Sequence, residues 1–335
     1  MVTVSAPKPQ NRHRPGGGDI FISGGDEALK EGLQTVDAFA EAIQVTADRG
    51  HTSMAVSRFE SILLLHITWG CTAQVSANFG ADTVAVSAPL LLPYPTGAKT
   101  LWTGTTISPG HVGAVPPGRD SESLTPAGAQ ALVGLIDLSS VAETADVLGW
   151  RAQLPRDAGP LPSHLGLRKA LVALHHATGV TGDRYPHRGD TRRATKRAAN
   201  RLSEGLAYAW RPHTVDRPQP RRRFAVSARI VSAAIEFAEA GFGSAPSMAE
   251  LCAATGVSER RVRYAFIDVK GVPPQTYFQA RSLNLARERL RAVSPSEATV
   301  TDVAFSLGNL HLGRFAGRYR ALFAETPRET LYRRH

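Results

Sequence analysis

The chain has 335 residues, of which 42% are hydrophobic, and a formal net charge of +10 at pH 7. This length is sufficient for two or three domains with cores of their own. Its two cysteines, Cys71 and Cys252, exclude a disulfide framework and a thiolate zinc site. No apolar run approaches the ~18 residues of a membrane span, so we expect a cytoplasmic protein with no membrane partner.

Charge is distributed unevenly along the chain. Residues 1–150 contain 8 Lys and Arg against 14 Asp and Glu, residues 151–220 contain 13 against 5, and residues 221–335 contain 18 against 10. The first stretch is acidic and the other two are basic. This asymmetry predicts that only the C-terminal part meets a polyanion, since basic surfaces attract nucleic acids.

The N-terminal residues contain two kinds of segment. Residues 1–20 are rich in Pro, Gly and charge, which predicts a disordered tail. The tail contains no apolar core segment, so it does not fit a signal peptide. From Asp26 to about Ala47, apolar residues recur at helical spacing, which predicts one amphipathic helix.

Short apolar and β-branched runs follow between residues 50 and 140, separated by Gly, Pro, Asn and Asp about every ten residues. Examples are SILLLHITWG, DTVAVSAPLLLPYP and ALVGLIDL. Because no helical pattern intervenes, the spacing favours an antiparallel β-sandwich or barrel over a parallel βαβ array. We assign residues 21–155 to this β domain.

The chain becomes helical again after residue 155. Two segments, LPSHLGLRKALVALHHATG and RRATKRAANRLSEGLAYAW, have heptad-like apolar spacing and basic outer faces. We assign residues 156–212 to a helical connector that either buttresses the β domain or forms a dimer interface. Residues 213–223 are rich in Pro and Arg, which predicts a linker to a last domain over residues 224–335.

A first helix-turn-helix pattern begins at Ser247. Ser247 and Glu250 form an S-x-x-E capping box at the start of one helix. Gly256 is placed for the positive φ of a tight turn, and Ser258 is placed to cap a second helix, ERRVRYAFIDVK. That helix has apolar residues on one side and arginines on another, which is typical of a DNA-reading helix.

A second unit repeats this plan near the C-terminus. An apolar-faced helix from Val300 to Leu307 ends at Gly308, and Thr326 later caps a final helix. Between them lies a helix with a core stripe and, about 100° around it, a basic stripe. The core stripe is Phe315, Tyr319, Leu322 and Phe323, and the basic stripe is His311, Arg314 and Arg318.

The stretch PPQTYFQARSLNLARERLRA separates the two units. Its roughly 18 helical residues would span about 27 Å at 1.5 Å per residue. That length is of the order of one turn of B-DNA, ~34 Å, so the stretch could space two reading helices over successive major grooves.

Residues 225–331 resemble the C-terminal domain of the AraC/XylS family of transcription regulators. The resemblance is carried by SMAELCAATGVSERRVRYAF, GVPPQTYFQARSLNLARERL, TVTDVAFSLG and HLGRFAGRYRALFAETP. The last segment is most similar to the branch that includes XylS and the ethanolamine-operon regulator. Two positions depart from the family: Asn309 replaces its usual aromatic residue, and Ala324 replaces its usual glycine.

The resemblance implies an α+β fold. An N-terminal cupin-like β-barrel or sandwich with a helical extension would precede an all-α double helix-turn-helix domain. The resemblance also implies DNA contacts from both reading helices, and we expect less sequence information from the second, because Gly317 has no side chain to offer. The implied contacts are Arg260, Arg263 and Tyr264 at base edges, Arg261 near phosphates, and His311, Leu312, Arg314 and Arg318 from the second helix.

The family's β domain senses a small molecule or dimerises, so partners follow from the resemblance. They are double-stranded DNA, RNA polymerase if the protein is an activator, a small-molecule effector and a second copy of the chain. Side chains of the β domain that are candidates for effector binding, each with core or rim packing as the alternative, are His66, Trp69, Tyr94, Trp102 and His111.

Other functions find less support in the sequence. The sequence contains no H-x-H, G-x-S-x-G or P-loop pattern, so we predict no metal, no cofactor and no catalytic residues. Two alternatives to an effector-responsive regulator stay open at this point. One is a DNA-binding protein that responds to no effector, and the other is a β-barrel enzyme with a basic appendage.

Overall fold

The structure is a computed structural model of the chain. It describes residues 20–24, 39–47, 50–59, 62–91, 100–107, 110–155, 158–161, 165–178, 188–211, 222–241 and 245–333. None of the helices within these ranges is both long enough and apolar enough to span a membrane.

The described strands form two antiparallel sheets. One sheet has seven strands in the order β1-β3-β4-β11-β6-β9-β12, and the other has five in the order β2-β5-β10-β7-β8. The strands are β1 Ile20–Gly24, β2 Phe39–Gln44, β3 Thr52–Phe59, β4 Ile62–Thr68, β5 Ala73–Asn78, β6 Thr83–Leu91, β7 Leu101–Trp102, β8 Thr105–Thr106, β9 Val112–Val115, β10 Asp120–Thr125, β11 Gln130–Asp137 and β12 Gly159–Leu161.

The two sheets face each other across an apolar core. Leu65 and Val133 of the seven-stranded sheet and Val75 and Trp102 of the five-stranded sheet belong to the same buried cluster. Side chains alternate along each strand, so one residue in two points into this space. The predicted β-barrel or sandwich is confirmed as a double-sheet domain.

Three helices cover the outer face of the seven-stranded sheet. Leu64 and Val86, on the outer face of their strands, share a buried cluster with Leu171 and Leu202 of the helices and with Trp210, which follows the last of these helices. The connector was expected either to buttress the β domain or to form a dimer interface, and this packing corresponds to the first role. The helices are α1 Leu138–Val147, α2 Leu165–Thr178 and α3 Arg188–Ala209.

The helix predicted from Asp26 to about Ala47 is wrong over its described part. Residues 25–38 lie outside the described residues, but Phe39–Gln44 is strand β2, paired antiparallel with β5. Ala42 packs in the core between the sheets, whereas the adjacent Ile43 packs against the C-terminal helices. A strand covered on both faces has apolar neighbours in sequence, and this imitates the helical period.

The C-terminal part is all-helical, as predicted. Ser247 and Glu250 form the expected capping box, and Gly256 has the expected left-handed φ of 67°. Ser258 occupies the N-cap position, but it makes no side-chain capping bond. The helices are α4 Arg222–Ala240, α5 Met248–Thr255, α6 Glu259–Lys270, α7 Pro274–Ala292, α8 Val300–Ser306, α9 Leu312–Phe323 and α10 Pro327–Tyr332.

Asn309 connects the second turn to the spacer helix α7. Its side-chain amide donates to the hydroxyl of Ser282 at 3.2 Å and to the carbonyl of Leu307 at 3.3 Å. A polar anchor therefore stands where the resemblance implies an aromatic residue. Gly308, just before it, has a φ of 71°, which explains the glycine.

Ala324 ends α9 in a conformation that favours glycine. Its φ is 57°, in the left-handed region, and its backbone N–H donates to the carbonyl of Arg320. An L-residue pays about 1–2 kcal/mol in this region because its Cβ crowds the next carbonyl.

Ala324→Gly should therefore stabilise the protein. We expect a gain of about 0.5–1 kcal/mol in the free energy of unfolding, after allowing for glycine's larger entropy in the unfolded chain. Urea denaturation of the full chain measures it. Ala321→Gly, the same change within α9, is the control and should destabilise instead; equal effects at both positions would contradict the assigned strain.

Candidate nucleic-acid interface and ligand cavity

The first reading helix, α6, is sharply divided into two faces. Val262, Ala265, Phe266 and Val269 are buried in the core formed with α4, α5 and α7. All the predicted contact residues of this helix are exposed: Arg260, Arg261, Arg263 and Tyr264.

The exposed face of α6 is organised by contacts among its own side chains. The Arg260 guanidinium stacks over the Tyr264 ring, 5.5 Å from its centroid. Arg263 forms an ion pair of 2.6 Å with Glu259, one turn earlier. Ile267 is also 41% exposed, and its i+3 and i+7 spacing from Tyr264 and Arg260 places it on the same face. Ile267 was not among the residues predicted from sequence to contact DNA, although its helical spacing from Arg260 and Tyr264 is visible in the sequence.

The C-terminal end of α6 is fixed to the β domain by a buried ion pair. The Lys270 ammonium lies 2.8 Å from a Glu122 carboxylate oxygen on β10, and the Lys270 side chain is only 3% exposed. Ser76 donates to the same carboxylate at 2.9 Å, and Gln74 also donates to it. The charge of Lys270 is therefore compensated within the protein.

The next residue, Gly271, also lies against β10. It has a φ of 74°, and a Cβ added to it would come within 2.5 Å of the Leu124 side chain. Both the positive φ and this close approach require glycine. Two successive residues at the end of α6 thus contact Glu122 and Leu124, which lie on the same face of β10.

The second reading helix, α9, has the expected core and exposed faces. Phe315 and Tyr319 are buried, and burial raises the pKa of Tyr319 to about 12. The Tyr319 hydroxyl lies 2.8 Å from that of Thr330 on α10, and Thr330 donates to Glu325 at 3.0 Å. The predicted contact residues of α9 and its N-cap are exposed: His311, Leu312, Arg314 and Arg318.

A second set of contacts joins the β domain to the spacer helix and to α9. The backbone N–H of Gln44 donates to the Asn284 side chain at 3.2 Å, and Asn284 donates back to the Gln44 carbonyl at 3.0 Å. The Gln44 side chain donates to the carbonyl of Leu322 at 3.1 Å. Arg281 contacts Glu41 at 3.4 Å. Strand β2 therefore holds both the spacer and the second reading helix.

The β domain contains a partly open cavity of about 120 Å³ between its two sheets. Trp69, Trp102 and His111 line it, as do Ser121 and Ser123 of β10. Three of the five candidate effector-binding residues thus line the same cavity. Tyr94 falls outside the described residues.

His66 does not line this cavity, and its surroundings match the core packing that was the alternative to effector binding. It points to the opposite face of β4 and contacts His175 of α2, with ring centroids 4.5 Å apart. Burial lowers the pKa of His66, and burial together with the neighbouring histidines lowers the pKa of His175 to about 4. Both rings are therefore neutral packing residues at neutral pH.

Comparison with known proteins supports the interpretation of the helical part. A family model described as a helix-turn-helix domain matches residues 251–333. The probable thc operon regulatory protein of Rhodococcus erythropolis is 32% identical over 102 residues, which are 30% of this chain and 31% of that protein. The XylDLEGF operon transcriptional activator 2 of Pseudomonas putida is 33% identical over 97 residues, 29% of this chain and 62% of that protein.

Residues 251–333 are a helix-turn-helix domain of the AraC/XylS type. The resemblance predicted from the motifs is confirmed for this AraC-type domain. The family model covers residues 251–333, and the chain spans less than two thirds of the length of either relative.

Two solved structures are also similar to this chain. The AraC-like transcriptional activator CuxR is 12% identical with a TM-score of 0.35, over 85% of this chain and 99% of that one. ToxT from Vibrio cholerae O395 is 8% identical with a TM-score of 0.29, over 88% of this chain and 97% of that one. The assignment of the AraC-type domain rests on the sequence matches, since these overall scores are low.

Proposed function

We propose that the protein is a sequence-specific DNA-binding regulator of transcription that responds to a small molecule held in its β domain. The observation that carries this proposal is the pair of exposed basic faces on α6 and α9, each on a helix with a fixed, buried back. The names of the relatives, a regulatory protein and a transcriptional activator, favour a regulator over an enzyme with a basic appendage.

The proposed domain organisation has the boundaries that were predicted from the sequence. A tail (1–20) precedes the sensor domain (21–155), the buttressing connector (156–212), the linker (213–223) and the DNA-binding domain (224–335). Double-stranded DNA is the principal partner, and we add RNA polymerase and a second copy of the chain on the basis of the resemblance. A protein of this function acts in the cytoplasm, where bacterial DNA lies.

In the proposed complex, α6 and α9 enter successive major grooves. Arg260, Arg263 and Tyr264 face base edges, and Ile267 lies on the same face, where its side chain suits a thymine methyl group. Arg263 exchanges its bond to Glu259 for a base on binding. The second helix contributes His311, Leu312, Arg314 and Arg318, while Gly313 and Gly317 present bare backbone. Phosphate contacts therefore form a larger share of its binding.

The role of Arg263 can be tested by selection of binding sites from a random DNA pool. Arg263→Ala should remove roughly 1–3 kcal/mol of discrimination at one base pair of the first half-site, since a bidentate contact to guanine is lost. The second half-site of the wild-type protein should be less sharply defined than the first.

The matched control is Arg201→Ala, which removes the same charge from an exposed position on α3. It should leave the selected sequence unchanged. If Arg263→Ala left both affinity and sequence preference intact, the placement of α6 in the groove would be wrong. Two equally sharp half-sites would contradict the lesser role of α9.

Strand β10 supports the proposed response to a ligand. Ser121 and Ser123 face the cavity, whereas Glu122 and Leu124 face the end of α6. A single strand therefore separates a bound ligand from the first reading helix. Displacement of β10 by a ligand would be transmitted to Lys270, because a buried charge does not leave its partner cheaply.

A double-mutant cycle tests this coupling without knowledge of the natural ligand. Ser123→Leu places an apolar side chain in the cavity from β10 and serves as a stand-in for a ligand, and Lys270→Met removes the ion pair while keeping the length. We expect DNA affinity to change with Ser123→Leu, and this change to shrink when Lys270→Met is present. A coupling of at least about 0.5 kcal/mol is the scale for networked residues.

Ser123→Leu combined with Arg201→Ala is the control pair and should be additive, since Arg201 lies on α3, across the seven-stranded sheet. Dissociation constants for DNA, measured at one fixed salt concentration for the wild type, the single variants and the double variants, give the coupling energies. Additivity of Ser123→Leu and Lys270→Met would contradict transmission through β10. A cavity that can be filled with no effect on DNA binding would favour the effector-independent alternative.

A further inference from the structure

We propose that the cavity of the β domain binds a small, planar, uncharged molecule that accepts a hydrogen bond, of the class represented by aromatic ketones. This inference rests on the proposed function only in taking the cavity as the sensing site. It concerns the chemistry of the ligand, which is set by the cavity walls.

The dimensions of the cavity limit the ligand to about one ring. Its volume is about 120 Å³, and an apolar cavity of roughly 150 Å³ is known to accept benzene. Two flat indole rings, those of Trp69 and Trp102, form part of the lining together with Phe79. Flat aromatic walls favour a flat ligand that stacks or packs edge to face.

The position of Trp102 depends on a glycine in the wall. A Cβ added to Gly113 would lie 1.4 Å from the Trp102 ring, so the ring lies directly over the Gly113 backbone. The backbone of Trp69 is also fixed, because its backbone N–H donates to the carbonyl of Ala129 at 2.9 Å and its backbone carbonyl accepts from Gly128 at 2.7 Å. Its side chain is buried in the core between the sheets. Both indoles are thus placed before any ligand arrives, which lowers the entropy cost of binding.

The requirement for an acceptor comes from an unpaired donor. Trp69 is 8% exposed, and its indole N–H has no hydrogen-bond partner among the described residues. Thr100 also lines the cavity, and its buried hydroxyl likewise has no hydrogen-bond partner among the described residues. Since an indole nitrogen only donates, a ligand in this cavity completes it with an acceptor atom. Leaving such a donor unsatisfied costs about 1–3 kcal/mol.

The lining also selects against a charged ligand. Apart from His111, the described side chains of the lining are apolar or are neutral hydroxyl and amide groups. A carboxylate placed among them would lose its hydration to uncharged neighbours, which is costly for an ion. A neutral carbonyl loses far less and recovers a hydrogen bond from Trp69.

Three probes of nearly the same shape separate these requirements: acetophenone, α-methylstyrene and benzoate. The first has a carbonyl, the second has a methylene in its place, and the third is an anion. Binding to the purified full chain is measured by quenching of tryptophan fluorescence and by the rise in melting temperature. We expect acetophenone to bind and to raise the melting temperature, and benzoate to do neither at the same concentrations.

Trp69→Phe keeps an aromatic wall and removes the donor. It should weaken acetophenone binding about fivefold or more, the equivalent of one hydrogen bond, and leave α-methylstyrene binding unchanged or tighter. Trp102→Phe is the matched control, and it should weaken both probes alike. Equal effects of Trp69→Phe on the two probes would overturn the role of the donor.

A measurement on the unaltered protein keeps the test independent of the folding of the variants. The chain has four tryptophans, so at most four indole N–H signals appear in a proton–nitrogen spectrum. Acetophenone should shift one of them downfield and α-methylstyrene should not. Benzoate binding as tight as that of acetophenone would overturn the proposal.

When DNA binding is measured in parallel, a wrong ligand class and a wrong proposed function give different results. If none of the probes binds while the chain still binds DNA, the ligand class is wrong and the DNA-reading function stands. If acetophenone binds as expected but never alters DNA affinity, the ligand class stands and the sensing part of the proposed function fails.

Discussion

An ion pair with a buried lysine lies at the contact between the two halves of the molecule and fixes their register there. Lys270 ends the first reading helix and lies 2.8 Å from Glu122 of the β domain, with the lysine side chain 3% exposed. A shift of this contact that parted the two groups but kept the lysine buried would leave a charge without its partner, which in proteins costs several kcal/mol. The β domain and α6 are therefore held in a defined register, and that register fixes where the exposed arginines of α6 point.

A consequence of this docking is that the five-stranded sheet is covered on both faces. Its inner face contributes to the core and the cavity, and its outer face contacts the AraC-type domain. Strand β10 contacts the end of α6, and strand β2 contacts the spacer helix and, through Gln44, the carbonyl of Leu322 in α9. One sheet thus supports both reading helices. The position of α6 relative to α9 is therefore set by the β domain as well as by the spacer helix α7.

The AraC-type domain could be predicted almost completely from sequence because its signals are local. The capping box of Ser247 and Glu250 and the turn glycine Gly256 each act within a few residues, and α6 spans the same twelve residues as the predicted segment. The exposed faces followed from helical periodicity, apart from Ile267. Asn309 could not be explained from sequence, since its partner Ser282 lies 27 residues away in the spacer helix.

The β domain was predictable only as a class, because its specific features depend on distant residues. The spacing of apolar runs predicts strands, but it does not predict which element of the fold packs on each face of a strand. His66 was therefore a candidate both for effector binding and for core packing; it lies under α2, while Ile67 next to it lines the cavity. Strand β2 resembled a helix because Ala42 and Ile43 are buried on opposite sides by different parts of the chain.

In the proposed complex, two helices held by one β domain read successive major grooves. Methylation interference with the full chain on a selected DNA duplex tests it most directly, because methyl groups at guanine N7 block major-groove contacts. We expect two clusters of interfering guanines on one face of the duplex, centred about 10 base pairs apart. A single cluster, or binding that is insensitive to major-groove methylation, would contradict it.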